Sequence, residues 1–292
     1  TGAIGLTTRS NTLMLYGTGV ASWNLTSFNT GVGGIAFTGQ LLNESYWLSS
    51  SGVVDLRTTL NYGNFKQSTI TNNITPYIET QRSKVAYSVV NHTTNQYRIL
   101  FTDGAALLMT LVNGKVAGIT KAQYAHTMFC AWSSVSSLSN ERVFYGASTT
   151  GHVYQTEKGS SFDGSAIEAY LVFNWNAMRM PRMLKRFRRI SIEMQSNFYA
   201  AFSFGYSLAY ASSRVMQPAT VAYESGFSGV PFWDEFVWDA FVWVGSTLHP
   251  TDVRVSGTAE NIQASIASGT NYIYPFVVNS LIFHYTPRRG IR

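Results

Sequence analysis

Residues 177–194 read AMRMPRMLKRFRRISIEM and separate two halves of the chain that differ in sequence pattern. In the second part of this stretch, Ile190, Ile192 and Met194 share one parity and polar residues occupy the other. Successive side chains of a strand point to opposite faces. The alternation therefore predicts a β-strand over residues 187–194, although Phe187 does not share the parity of Ile190.

The same stretch concentrates positive charge, with six cations in eleven residues before the first acid at Glu193. We call these cations the basic segment: Arg179, Arg182, Lys185, Arg186, Arg188 and Arg189. The combined charge of these six residues equals the net charge of the whole chain, +6. Three interpretations are open: contact with nucleic-acid phosphates, a subunit interface against the carboxylates of a neighbour, or an ordinary solvated surface. We favour the interface.

Short apolar runs separated by Gly, Asn, Ser and Thr predict an all-β fold. In the first half, hairpins are predicted around Gly19, Gly52, Gly104 and Gly151, which are 33, 52 and 47 residues apart. This spacing is near the ~40–50-residue period of propeller blades, although a plain β-sandwich would also produce hairpins. We predict a type I′ turn at 113–114, Asn-Gly, and a polar loop over residues 61–82.

We therefore expect two domains. Residues 1–175 are predicted to form a degenerate, incomplete β-propeller-like region of hairpin repeats. Residues 176–292 are predicted to form a β-sandwich-like platform module that contains the basic segment and ends in a second basic cluster, PRRGIR. Because the sequence begins at Thr1 rather than with Met, we expect it to be a fragment or a processed product.

Composition bears on the class of protein. Charged residues make up only 12% of the chain, about half the usual ~25%, which is typical of proteins that bury much of their surface in an assembly. A single cysteine, Cys130, allows no internal disulfide.

The five histidines show no metal-ligand spacing, and no nucleotide-binding loop or nucleophile elbow is present. We expect no enzyme, no cofactor, no metal site and no membrane span.

A tryptophan series is the other candidate site. Trp233, Trp238 and Trp243 recur every five residues in FWDEFVWDAFVWVG, among three acids. Aromatic rings beside paired carboxylates can bind or cleave sugars. Aromatic residues also fill cores and interfaces, so a sugar site and an interface both remain open.

Three blocks of the later sequence carry a family resemblance: residues 142–175, the basic block PRMLKRFRRISIEM at 181–194, and the terminal NSLIFHYTPRRGIR at 279–292. Together they resemble tail nozzle or tail-hub proteins of tailed-bacteriophage virions, in which degenerate propeller blades are joined to β-rich platform modules. The resemblance covers about the last half of the chain.

The resemblance implies a non-enzymatic structural role in the virion tail. It implies a homo-oligomeric ring, commonly six-fold, that contacts other tail or adaptor proteins and through which phage DNA passes transiently. The main alternative is a carbohydrate- or receptor-binding β-propeller protein of a virion or of a host-surface recognition apparatus. A third is a nucleic-acid-binding module.

Overall fold

The computed structural model describes residues 3–56, 69–135, 141–196, 201–224, 247–270 and 276–290. Within these ranges the chain forms 20 β-strands and one short α-helix. The strands make six separate antiparallel sheets of three or four strands, and none of these sheets closes into a barrel. The predicted all-β class is therefore confirmed.

The chain divides into two compact units, Thr1–Lys158 and Gly159–Arg292. The predicted boundary at 175/176 falls inside the second unit. The reason is strand β14 (Ile167–Val172), which pairs with β19 (Ile262–Thr270) along its whole length. Because the two partners lie far apart in sequence, the hairpin pattern could not show to which unit β14 belongs.

Four sheets follow one another along the first unit, and each is built from strands that are consecutive in sequence. The first contains β1 (Ala3–Thr7), β2 (Asn11–Tyr16) and β3 (Asn24–Thr30); the second β4 (Gln40–Leu42), β5 (Glu44–Ser49) and β6 (Gly52–Asp55); the third β7 (Val85–Asn91), β8 (Gln96–Phe101), β9 (Ala105–Val112) and β10 (Lys115–Gln123); and the fourth β11 (Met128–Val135), β12 (Glu141–Ala147) and β13 (Val153–Gln155).

The third sheet has a packed core on both faces. On one side Ile99 and Phe101 share a buried cluster with Leu48 of β5. On the other side Leu100 shares a cluster with Val143 of β12. The third sheet thus shares buried clusters with the sheets before and after it, and the propeller-like repeat stays a prediction.

The hairpin predicted around Gly19 forms between β2 and β3, but Gly19 itself is extended, with φ of −167°. The other predicted turns have the expected glycine conformation. Gly52, Gly104 and Gly151 each have a positive φ at a hairpin connection, where a residue with a Cβ would be strained. Asn113 and Gly114 have φ of 52° and 73°, the two positive values of a type I′ turn between β9 and β10.

The loop predicted over residues 61–82 is wrong in its described part. Helix α1 (Thr75–Gln81) follows a 3₁₀ turn at Asn72–Ile74. Pro76 lies in the first turn, where its missing N–H costs nothing. Ile78 is the buried residue of this two-turn helix, which is too short to show an apolar periodicity in sequence.

The described residues of the second unit form a two-sheet sandwich. One sheet has the order β14-β19-β16-β17 and the other β18-β15-β20. The remaining strands are β15 (Met183–Ser196), β16 (Ala201–Leu208), β17 (Val221–Glu224), β18 (Thr247–Ala259) and β20 (Phe276–Gly290). Phe202, Phe204 and Ile266 of the first sheet pack against Ile190 and Ile192 of the second. The described residues of this unit therefore form a sandwich, and β14, which lies outside the predicted bounds 176–292, belongs to it.

Candidate interaction face

The basic segment lies largely on β15, the central strand of its sheet. Ile190, Ile192 and Met194 are buried in the sandwich core, as their shared parity predicts. The opposite side of this sheet points away from the core, and we call it the outer face. Its side chains come from all three strands: Arg186, Arg188, Arg189, Ser191 and Glu193 of β15, Asp252 and Arg254 of β18, and Ser280, Ile282, His284, Thr286 and Arg288 of β20.

A register irregularity explains why two adjacent arginines are both exposed. The pairing of β15 with both neighbouring strands shifts between Phe187 and Arg189. Phe187 and Ile190 are consequently both buried although they differ in parity. Such a shift re-aims side chains, and here Arg188 and Arg189 both reach solvent.

A row of basic residues crosses the sheet. Arg189 stands opposite Arg254 on one neighbouring strand and opposite His284 on the other. Neighbouring strands are about 4.8 Å apart, so the backbones of these three residues lie within about 10 Å across the sheet. Like charges at directly opposed positions destabilise a sheet. The fold therefore tolerates a local electrostatic cost at this row.

Asp252 compensates part of that cost. Its Oδ2 lies 2.9 Å from Nη1 of Arg189, and its Oδ1 accepts a hydrogen bond from Ser191 Oγ. Ser191 Oγ also lies 3.2 Å from Nε2 of His284. Ser, His and Asp are the residue types of a hydrolase triad, but here the carboxylate binds the serine. The hydrogen bond that an imidazole N–H donates to the aspartate, which orients the base in a triad, is not among these contacts.

The remaining arginines of the outer face have few partners. Arg188 Nε donates to Thr286 Oγ1 at 3.1 Å. Arg186, Arg254 and Arg288 make no hydrogen bond or ion pair with any residue that the structure describes. Their guanidinium groups, each with five fixed donors, are available to an anion. Arg179 and Arg182 of the basic segment are exposed in the loop that precedes β15.

Lys185 was predicted as part of the interaction site, and this prediction is wrong. Its side chain is fully buried, and its ammonium donates to the carbonyl oxygens of Met180, Met183 and Glu260 at 2.6, 2.9 and 2.7 Å. Burial lowers the pKa of this ammonium, and the Glu260 carboxylate partly offsets that effect. An ammonium with three donors held by three carbonyls has none left for a partner.

Sequence reasoning assigned no role to Arg254, His284 and Arg288. Arg254 lies between the buried Val253 and Val255, so the V-R-V alternation was a usable signal for an outward arginine. No sequence signal could place it beside Arg189, because that depends on the register between distant strands. Arg288 belongs to the terminal basic cluster.

The predicted tryptophan series at Trp233, Trp238 and Trp243 lies outside the described residues. A different aromatic pair appears in the first unit. Trp132 of β11 and Phe144 of β12 are cross-strand partners with ring centroids 5.6 Å apart and planes at 19°. The alternation of β11 and β12 was the only signal that could have predicted this pair.

Within the described ranges, no group of three or more His, Cys, Asp or Glu side chains could hold a metal ion. None of the helices described is long and apolar enough to span a membrane. Neither the protein-family models nor the curated proteins include one that matches this chain.

Proposed function

We propose that this chain is a non-enzymatic structural subunit of a virion tail, one copy in a homo-oligomeric ring of the nozzle or hub type that forms a conduit for DNA. The tail assignment rests on the resemblance carried by residues 142–175, 181–194 and 279–292. The assembly part of the proposal is supported by apolar surface that both units leave uncovered.

The observation that carries the proposal is the open apolar face of the first sheet. Ile4, Leu15 and Leu25 stand in one cross-strand row, and Leu6 and Leu13 form the next row. Ile4, Leu6 and Leu25 are 59%, 43% and 54% exposed. Contiguous exposed apolar patches on soluble proteins mark interaction sites.

The second unit leaves an apolar edge uncovered. Strand β14 is an edge strand, and Tyr170, Leu171 and Val172 are 77%, 48% and 54% exposed on it. A single charge, Glu168, interrupts its sequence IEAYLV. Natural edge strands are normally protected by charges, proline or bulges. A cleft of about 540 Å³ beside it is lined by apolar side chains that include Phe173 and Phe283. Neighbouring subunits of a ring would cover both the edge and the cleft.

The test is the native mass, measured by light scattering on a size-exclusion column, with negative-stain images of the same peak. We expect a mass of several 32.4 kDa chains and a ring with a central hole. A protein that stays monomeric at the highest concentration loaded on the column, together with images of single particles without a hole, would contradict the proposal.

One observation favours a second candidate function, recognition of a carbohydrate receptor. Trp132 is 42% exposed and nearly parallel to Phe144 on an open sheet face, beside the cross-strand partner Gln155. Exposed aromatic faces with nearby hydrogen-bonding groups bind sugar rings. Glycan-array binding that Trp132→Ala abolishes, while the native mass stays unchanged, would favour this function over the structural one.

A further inference from the structure

We propose that the outer face of the β18-β15-β20 sheet binds the phosphate groups of a nucleic-acid backbone, without reading its sequence. The inference deepens the proposed function by naming a surface that contacts the DNA of the conduit. It stands on the charges and hydrogen bonds of the described residues.

The first support is the charge balance of the face. Five arginines point outward, against the carboxylates of Asp252 and Glu193. Both acids are already held, because Asp252 binds Arg189 and Ser191, and Glu193 accepts a hydrogen bond from Ser280 Oγ. The excess of guanidinium groups is therefore not satisfied within the sheet, and a negatively charged partner would satisfy it.

The second support is that several carboxylates on the described part of the chain are already paired. Asp103 is paired with Lys84, Glu141 with His92 and Glu157 with the buried Arg98. These pairings leave fewer carboxylates on the described residues of a second copy to match the outer face. They favour an external polyanion over the interface that the sequence suggested.

The third support is the shape and chemistry of the face. The row Arg254–Arg189–His284 runs across the strands, and Arg186 and Arg288 extend the positive charge toward one end of β15. An array of exposed arginines on one sheet face suits the phosphates of a backbone, because guanidinium groups bind phosphate in a bidentate manner. The uncharged positions of the face include Ser191, Ser280, Ile282 and Thr286, and none of these four is aromatic. Without an aromatic ring among them to stack on a base, contacts to the backbone rather than to base edges are expected.

The experiment measures binding of the full chain to a fluorescent 30-base-pair duplex of random sequence, over a series of NaCl concentrations. The test variant is Arg186→Gln, Arg254→Gln and Arg288→Gln combined, because these side chains are exposed and bind no described residue. Each lost phosphate contact makes the slope of log K against log [salt] shallower by about 0.9. We expect the slope to change by about 2.7 for the three arginines together, with an unchanged melting temperature.

A matched control removes the same charge from the first unit. It combines Lys115→Gln, Arg142→Gln and Lys158→Gln, three exposed cations outside the outer face. We expect this variant to keep the slope of the parent chain. If the salt slope becomes equally shallow in both variants, net charge alone attracts the DNA, and the proposal is overturned. Absence of DNA binding by the parent chain at 50 mM NaCl would also overturn it.

Measurements of native mass on the same variants separate this inference from the proposed function. A monomer whose salt slope depends on the three arginines would contradict the ring and leave the phosphate site intact. If the triple variant instead lowers the native mass and leaves DNA binding unchanged, the face docks on protein carboxylates. Asp234, Glu235 and Asp239 are sequence candidates for such a partner. That result would overturn the phosphate site.

Discussion

The ammonium of Lys185 donates a hydrogen bond to the backbone carbonyl oxygen of Glu260 at 2.7 Å, and so joins β15 to the turn between β18 and β19. Two more carbonyls, of Met180 and Met183, complete its set of acceptors. A lysine from the most basic stretch of the chain thus serves the fold, and the arginines around it remain for interaction.

The first prediction concerns that lysine. Lys185→Met keeps most of the side-chain volume but removes the ammonium that donates to three carbonyl oxygens in a buried site. Of these, the Met180 oxygen keeps a second hydrogen bond, from the backbone N–H of Met183. Unsatisfied buried polar groups and lost charged hydrogen bonds of this kind cost about 2–4 kcal/mol in total. Urea unfolding followed by circular dichroism should show a loss of free energy of unfolding in this range.

The neighbouring position supplies the control. Arg186 is exposed and has no described partner, so Arg186→Gln should change the free energy of unfolding by less than about 0.5 kcal/mol. If the two variants are equally stable, the carbonyl cage does not stabilise the fold. Conversely, Lys185→Met should leave the salt dependence of DNA binding unchanged, because its ammonium has no free donor.

The second prediction concerns Gly257, which opposes Phe187 in β18. Its φ is 143°, and a Cβ there would lie 2.2 Å from Cδ1 of the fully buried Leu208. Gly257→Ala combines backbone strain with overpacking and should cost about 1–3 kcal/mol in thermal or urea unfolding. The control is Gly118→Ala in β10, where a Cβ meets nothing within 4 Å. Equal stability of the two variants would contradict the packing argument.

The sequence was sufficient for those features that depend on local chemistry. The parity of Ile190, Ile192 and Met194 predicted both a strand and its buried face. The Asn113–Gly114 pair predicted a type I′ turn because both residues readily adopt positive φ. The basic segment predicted where exposed positive charge is concentrated, although one of its six members is buried.

The sequence did not predict the features that depend on pairing between distant residues. Phe187 is buried although it differs in parity from Ile190, because the register shifts between Phe187 and Arg189. The burial of Lys185 depends on the carbonyl of Glu260, 75 residues away. The row of Arg254, Arg189 and His284 likewise arises from the order of three strands, which no local pattern records.

The third prediction is a pH dependence in the first unit. Burial raises the pKa of Glu141, but hydrogen bonds from His92 and from the backbone of Thr93 outweigh this and hold it below its usual value. A carboxylate with a depressed pKa stabilises the fold above the pKa it has when unfolded, near 4.3. This stability is lost as the pH falls through the lower pKa of the folded state.

Glu141→Gln removes the titrating group and should therefore flatten part of the fall in stability between about pH 5 and pH 3. The measurement is the urea midpoint at pH steps across this window. Glu79→Gln, at an exposed carboxylate of α1, is the control and should leave the curve of the parent chain unchanged. A curve for Glu141→Gln that parallels the parent at every pH would rule out the contribution of the His92–Glu141 contact.

The fourth prediction tests the open face of the first sheet, on which the ring proposal depends. Leu25 is 54% exposed beside Leu15 and Ile4, so Leu25→Lys inserts a charge into the apolar patch without disturbing a core. If neighbouring subunits bury this patch, the desolvated charge should shift the native mass toward the monomer, while the melting temperature of the monomer stays within about 3 °C. Asn24→Lys adds the same charge at an exposed position on the other side of β3 and should leave the mass unchanged. An intact ring of the Leu25→Lys variant would mean that this face is not a subunit contact, and the exposed edge of β14 would then be the next described surface to test in the same way.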